Sequence, residues 1–582
     1  MKKWTHLLTL ITLATVLGGC GAKVSMVNPD NLSKQTADQQ ETADQDGTKE
    51  GQNQVEPREI PAMILLNNIN TINPNKVQDV NAASIVNMVG EGLYRQNKDG
   101  KYELGLLASD PEQVNDHTYR LKLKDNAKWS DGTPVTAADL VYSWQSLVNP
   151  KNNNGNGDLL NGVVQGATAI QQGKQDPNTL GIQAKDAKTI EVTFEQPINQ
   201  YHTLESLFAR SELFPLPSEK VKTATDYADY GQNAENVLSN GPYIMKNWQS
   251  GGWRTWQLVR NPHYDNEADY PAEQINVHVV DDFAMAATNF KDQMADIMPT
   301  LTKEKNVSWN ETHYLAFNLS DSEKDQGKPK SEQNVVNNQE LRALLLAPLK
   351  LDDALTQLTR SARKADDLVP MSQDGGAKAE GVAVSEEKVN QILDDYGYEA
   401  LELSLIVRND NDDVKMAEVI KSQIEKAYAR VVVDVVPMRN ENFINRQLGI
   451  VDYRDERYAE HYDLILDSQV QSEANNTYAL YRQFNADSPR NHLGINSAKV
   501  NDILQHYTSA NASLSPSDRQ VIEQALADEK LVLPLYDTET SFTHSSAITG
   551  DVTTKAGYLY DFKGLQFTSG DDTIPKGQAM SD

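Results

Sequence analysis

Few side chains in this chain are spaced for catalysis. The ten histidines are scattered, with no His-Glu-x-x-His pair to set two metal ligands on one helix face. Neither a G-x-S-x-G nucleophile elbow nor a phosphate-cradling G-x-x-x-x-G-K-[ST] occurs. Asp410, Asp412 and Asp413 are too crowded for a calcium loop and lack its glycine and terminal Glu. They read as a solvated turn. Carboxylates are so abundant that neighbours such as Asp366 and Asp367 carry little weight as a glycosidase pair. Nothing asks for an enzyme, a metal or any other cofactor. The basic stretch Arg360, Arg363 and Lys364 has no explanation at this level.

Binding is the chemistry that remains. The chain holds 23 Tyr against 11 Phe and 7 Trp. Tyrosine offers flat apolar area with a hydroxyl, which suits a wet, adaptable surface. The 582 residues carry 54 basic and 83 acidic side chains, a net charge of -29. That balance excludes a nucleic-acid partner, whose phosphates demand basic patches. The length implies several lobes, since single cores stop growing near ~250–300 residues.

The single cysteine, Cys20, follows a basic start and the apolar run Leu7–Leu17. Leu17-Gly18-Gly19-Cys20 resembles the lipobox of bacterial lipoproteins. It implies a signal peptide over residues 1–19 and a lipid on Cys20, holding the body at a membrane surface. Residues 23–58 hold almost no large apolar groups, so 20–58 reads as the lipidated N-terminus and a disordered tether. Order is expected from Glu59, with a buried strand at Ala62–Leu66 and a helix over Ala83–Leu93.

The most legible element is His117–Pro150. Tyr119, Leu121 and Leu123 alternate with Arg120, Lys122 and Lys124 as in a half-buried strand. Trp129-Ser130-Asp131-Gly132 reads as a turn, and Thr136 with Asp139 as a capping box that opens a helix. Leu180–Phe194 reads as a hairpin, and a helix is expected to begin within Pro197–Leu207. Leu401–Val407, the helical face Val414–Tyr428 and Val431–Val436 form a strand–helix–strand order, which implies parallel pairing. Tyr462–Leu466 is expected to be a further strand.

Several motifs then fall in one order. Glu91-Gly92-Leu93, W-S-D-G-T-P-V-T-A-x-D (Trp129–Asp139), Leu180-Gly181-Ile182, Asn240-Gly241-Pro242-Tyr243, Arg260-Asn261-Pro262-His263-Tyr264, Leu341-Arg342-Ala343 and Leu533-Pro534-Leu535-Tyr536 resemble the signatures of one family. It is the extracellular oligopeptide-binding family of ABC-importer substrate-binding proteins, solute-binding family 5. The resemblance spans residues 59–582. It implies an α/β, two-lobed, hinge-closing fold like that of periplasmic binding proteins (type II), with an extra inserted subdomain. Lobe I would comprise 59–77, 205–312 and 541–582, the insertion 78–204, and lobe II 313–540. It also implies an oligopeptide ligand, permease subunits of an ABC transporter as partner, and a monomer on the outer face of the cell membrane, that of a Gram-positive bacterium in particular. A nickel chelate, haem or oligosaccharide ligand, or an adhesin or sensor role, is the alternative.

Family peptides pair by their backbones, which fixes affinity without reading side chains. By position, one pairing segment falls on Gln78, Asp79 and Val80. The other falls on Ser468, Gln469 and Val470, just after the expected Tyr462–Leu466 strand. Here the chain departs from the family's W-x-A-D-Y-like segment. Gln469 replaces the Trp, and the amine-anchoring Asp falls at Ser472, with Glu473 beside it.

Overall fold

The computed structural model describes residues 61–66, 68–198, 201–252, 254–281, 283–300, 309–320, 322–370, 377, 381–447, 462–470, 477–507, 513–549 and 560–567, all within the compact unit Val55–Asp582. Cys20, the tether, Ser472 and Glu473 lie outside them.

A long mixed sheet forms the backbone of the molecule. From one edge its strands are Val431–Met438, Leu401–Arg408, Leu464–Val470, Trp309–Phe317, Val532–His544, Ile297–Thr300, Ala62–Leu66, Gln274–Val280, Thr255–Arg260 and Tyr243–Lys246, with Ala362–Lys364 added to Val532–His544. The Leu401–Arg408 and Val431–Met438 strands run parallel, joined by the helix Asn411–Ala427, as their pattern predicts. The 13-residue strand Val532–His544 is the continuity element. Its first part pairs with Trp309–Phe317, and its last residues, Ser541–His544, pair with Ile297–Thr300.

Three large hydrophobic cores gather around this sheet. One runs from Tyr314 to Tyr536. A second unites the Ala62–Leu66 strand, the helix Val80–Val89, and residues from Phe214 to Leu565. The third, Leu93 to Leu213, belongs to a separate four-stranded sheet and the helix Ala137–Val148. The molecule is thus two-lobed and α/β, with an added third module.

The expected motifs turn out to be stitches. Asp139 accepts hydrogen bonds from the Thr136 amide (2.8 Å) and hydroxyl (3.0 Å), from the Ser218 amide (2.9 Å) and hydroxyl (2.7 Å), and from Trp129 Nε1 (3.3 Å). One carboxylate therefore caps the helix and ties it to the Trp129 turn and to the segment after Phe214. Asn240 accepts from the Glu91 amide (3.1 Å) and donates to the Glu91 carbonyl (2.9 Å), while Asn261 donates to the Gly241 carbonyl (2.9 Å). A Cβ on Gly241 would sit 2.6 Å from the Gly90 carbonyl oxygen, so only glycine permits that approach.

Three expectations are corrected. The first helix is Val80–Val89 rather than Ala83–Leu93, because Asp79 caps it by accepting from the Ala82 amide at 2.8 Å. The late strand is Leu464–Val470, longer than the apolar run Tyr462–Leu466. Its polar end persists as strand because Asp467 and Gln469 find buried partners. The Asp410–Asp413 turn is not solvated: Asp410 caps the helix Asn411–Ala427, and Asp412 and Asp413 are 3% and 2% exposed.

Candidate functional site

A cavity of about 360 Å³ opens where the three cores meet. One wall is the Leu464–Val470 strand. It pairs along its whole length with Trp309–Phe317 on one side. On the other side it pairs with Leu401–Arg408 only at Leu464–Leu466. From Asp467 to Val470 that second edge has no partner strand among the described residues, and those four residues line the cavity. The Ser468 amide donates to the Asp467 carboxylate (2.8 Å), so it is turned away from Trp309–Phe317. The alternation of a strand places the Val470 amide on the same open side.

Facing it, Val77, Gln78 and Asp79 lead into the Val80–Val89 helix. Val77 and Asp79 are extended, with φ/ψ of -65°/128° and -119°/155°. Val80 is the first helical residue, and its carbonyl accepts from the Ser84 hydroxyl at 2.7 Å. It lines the cavity with its neighbours, but its backbone is committed to the helix rather than extended. Gln78 lies against Gly155, where a Cβ would come within 1.8 Å of its amide nitrogen.

Ser468, Gln469 and Val470 form the last residues of the strand instead of following it. Their side chains are occupied differently. Ser468 Oγ accepts from Arg408 Nη1 (3.1 Å), and Gln469 Oε1 accepts from Gln483 Nε2 (2.8 Å) while its amide donates to the Leu368 carbonyl. Gln469 stands where the family carries Trp and is 8% exposed, so it braces the strand from behind.

Electrostatically the cavity has two ends. At the sheet end, Arg360 is buried among Glu311 (3.4 Å), Asp410 (3.0 Å), Asp412 (3.3 Å) and Asp413 (3.5 Å). Burial works against its charge, but Asp410, Asp413 and Glu311 outweigh burial and hold the guanidinium far above its ordinary range. Asp413 also lies 3.0 Å from His313 Nδ1 and accepts from the Tyr536 hydroxyl (2.9 Å). Burial opposes its ionisation, yet His313, Arg360 and Arg408 keep its carboxyl below the usual range. Arg408 pairs with Asp467 at 2.7 Å, and the Tyr314 hydroxyl donates to the same carboxylate at 3.1 Å. Asp79, across the cavity, is pushed up to about 6 by burial, against the Ala82 amide and Arg408.

At the other end the sign reverses. Arg210, Arg482, Arg490 and His492 line the wall with one carboxylate, Glu212. Arg210 pairs with Glu212 at 3.1 Å, and Arg482 with Asp158 at 3.3 Å. Burial alone would raise Glu212, but Arg210, Arg482 and Arg490 bring it to about 2. None of the Arg residues and none of the acids at either end, Asp79 excepted, was singled out for the site by sequence. Apart from Arg210 and Glu212, their partners lie tens to hundreds of residues apart, and the one signal singled out in the sequence is the unexplained basic stretch at Arg360.

Residues 101–491 match the family described as bacterial extracellular solute-binding proteins, family 5 Middle. The chain is 29% identical over 289 residues to the dipeptide-binding protein of Lactococcus lactis subsp. cremoris (strain MG1363), covering 47% of this chain and 50% of that one. It is 31% identical over 208 residues to the periplasmic oligopeptide-binding protein OppA of Salmonella typhimurium, covering 36% and 37%. The matched segment thus spans half the length of these curated relatives or less. Listeria monocytogenes OppA bound to peptide shares the fold with a TM-score of 0.72 at 23% identity, covering 88% of this chain and 99% of that one. The substrate-binding domain of an oligopeptide ABC transporter from Bacillus anthracis str. Ames gives 0.73 at 20% identity, covering 88% and 100%.

Proposed function

The chain belongs to the bacterial extracellular solute-binding proteins of family 5, and from that premise we propose that it captures oligopeptides between its lobes and delivers them to the permease of an ABC importer. One observation carries this reading: the Asp467–Val470 edge has no partner strand on the cavity side among the described residues and shares the cavity with Gln78 and Asp79. Such an edge accepts an extended peptide as an added strand, binding through the main chain. Gln78, Asp79, Ser468 and Val470 are the residues assigned to backbone contact, and Val80 and Gln469 to the wall. Ser472 and Glu473, outside the described residues, are assigned to the ligand as the positions where the family anchors a free amine. No step of covalent chemistry belongs to this reading.

Anchoring through a lipid on Cys20 and the 20–58 tether completes the proposal, with a monomer standing on the outer face of the cell membrane. No helix among the described residues is long and apolar enough to cross a membrane. Lobe I comprises 59–77, 205–312 and 541–582, the insertion 78–204 and lobe II 313–540. Core membership favours two adjustments: the Val80–Val89 helix goes with lobe I, and Leu204–Leu213 with the insertion.

Native mass spectrometry of the full chain purified without refolding tests the reading. The expected result is a population carrying peptides that can be released and sequenced. Protein that retains no peptide and gives no binding heat with a peptide library contradicts it.

A further inference from the structure

The segment Asn154-Gly155-Asn156-Gly157-Asp158 alternates short polar side chains with glycine, and its three polar residues are buried. Leu159 and Leu160, which follow it, lie in the core of the inserted module. A buried asparagine needs donors for its oxygen and acceptors for its nitrogen. Asn156, wholly buried, has both. Its Nδ2 donates to the carbonyls of Val77 (2.7 Å) and Asn75 (3.2 Å), and its Oδ1 accepts from Arg482 Nη2 (3.1 Å) and Arg490 Nε (3.2 Å). Carbonyls only accept and guanidinium groups only donate, so the amide has one orientation. Asp158 extends the same join. Its two carboxylate oxygens accept from Arg482 Nη1 (3.3 Å) and from the Ser488 hydroxyl (2.8 Å).

This join has consequences at both of its ends. The Val77 carbonyl shares a peptide plane with the Gln78 amide, so holding one fixes the direction of the other. That amide makes no hydrogen bond among the described residues, and Gln78 lines the cavity. On the other side, Arg482 is followed directly by Gln483, whose Nε2 donates to Gln469 Oε1 (2.8 Å) on the Leu464–Val470 strand. Asn156, Arg482, Gln483 and Gln469 therefore make one path from the Gln78–Asp79 segment to the Asp467–Val470 edge. A strand added between two neighbours needs each of them about 4.8 Å away. A path that fixes the gap therefore decides whether both ladders close. Neither Asn156 nor Asp158 lines the cavity, so their effect passes through the groups they hold.

We propose that Asn156 and Asp158 of the inserted module are positioning residues for the ligand: in the closed form they join Arg482 to the Val77–Gln78 peptide plane and so set the gap in which an extended peptide pairs. The proposal rests on the peptide-binding reading and gives the insertion a part in binding.

The test is stopped-flow association and dissociation with full-length protein. The probe is the tightest binder from a random library of tri- to octapeptides, carrying a fluorophore. Encounter precedes closure, so Asn156→Ala should leave the association rate within about twofold and raise the dissociation rate about tenfold, the worth of a charge-assisted hydrogen bond. Asn156→Asp separates positioning from a plain clasp. Two guanidinium groups keep that carboxylate ionised, so it retains Arg482 and Arg490 but turns an oxygen on the Val77 carbonyl. Positioning predicts the same fast dissociation as in Asn156→Ala, whereas a clasp alone predicts dissociation as slow as in the wild type. Asp158→Ala should raise the rate about threefold or more, and Asp158→Asn, which keeps an acceptor for Arg482, should restore part of it. Thermal melts of the peptide-free proteins identify variants that do not fold; if those are the Asn156 variants, the Asp158 pair decides. Dissociation rates within about twofold of the wild type in every folded variant overturn the positioning role while leaving peptide binding intact. A folded wild type that binds no member of the library contradicts the peptide reading, and this proposal falls with it.

Discussion

Arg360 is the residue on which most of the hidden chemistry turns. In sequence it sits in a basic stretch fifty residues from an acidic trio, and each group alone looks like solvated surface. Folding brings them together, and the helix N-terminus at Asn411 places three aspartates around one guanidinium. Removing one partner of a buried ion pair strands the rest, at about 3–5 kcal/mol. Arg360→Ala should therefore lower urea-unfolding stability by that order; a loss under about 1 kcal/mol would show the network to be solvated. Glu523 makes a second case. It is buried, accepts from the Tyr481 hydroxyl (2.5 Å) and the Leu368 amide (2.9 Å), and burial pushes it up to about 7 against those bonds. Its unfolded value is near ~4.3, so the folded chain holds the extra proton between the two. The resulting stability is full below about pH 4 and is lost as pH rises through about 7, by ~4 kcal/mol. Stability measured across that range should fall less steeply for Glu523→Gln than for the wild type. Identical slopes would place the Glu523 titration elsewhere.

At the scale of elements, sequence pattern served well where capping and periodicity are local. The Thr136–Asp139 box, the strand–helix–strand order from Leu401 to Met438 and the hairpin Ile182–Thr193 are all present, because each is specified within one or two turns of chain. The end of the Leu464–Val470 strand was not legible. Its polar residues are buried by Arg408, Tyr314 and Gln483, which no window around them contains. The strand edge supplies its own prediction. Val470 is the last paired residue, opposite Glu311, and its amide is assigned to the open side. Proline is tolerated at edge positions where the lost N–H faces away from the ladder. Val470→Pro should then leave thermal stability nearly unchanged and weaken peptide binding about fivefold to tenfold, the worth of one hydrogen bond. A drop in stability with affinity preserved would put that amide on the Trp309–Phe317 side.

For the whole molecule, two lobes share one sheet, and a single strand, Val532–His544, pairs in both. The walls meet across the cavity through contacts that rigid lobes would exchange on opening. Asp158 takes Arg482 and the Ser488 hydroxyl (2.8 Å), Asn440 donates to the Asn68 carbonyl (3.3 Å), and the Arg360 guanidinium lies 5.8 Å from the Phe283 ring. The family signatures made this two-lobed plan readable, since their turns and caps stitch the scaffold. They brought Gln78–Val80 and Ser468–Val470 to the cavity but left its charges unread, because those come from every part of the chain and meet only after folding. Residue-resolved hydrogen exchange of the full chain, with and without a bound peptide, tests the central claim most directly. Main-chain pairing in the cleft predicts that Ser468–Val470 and Gln78–Asp79 gain protection together when peptide is added. Saturating peptide that leaves both segments exchanging as before would contradict it.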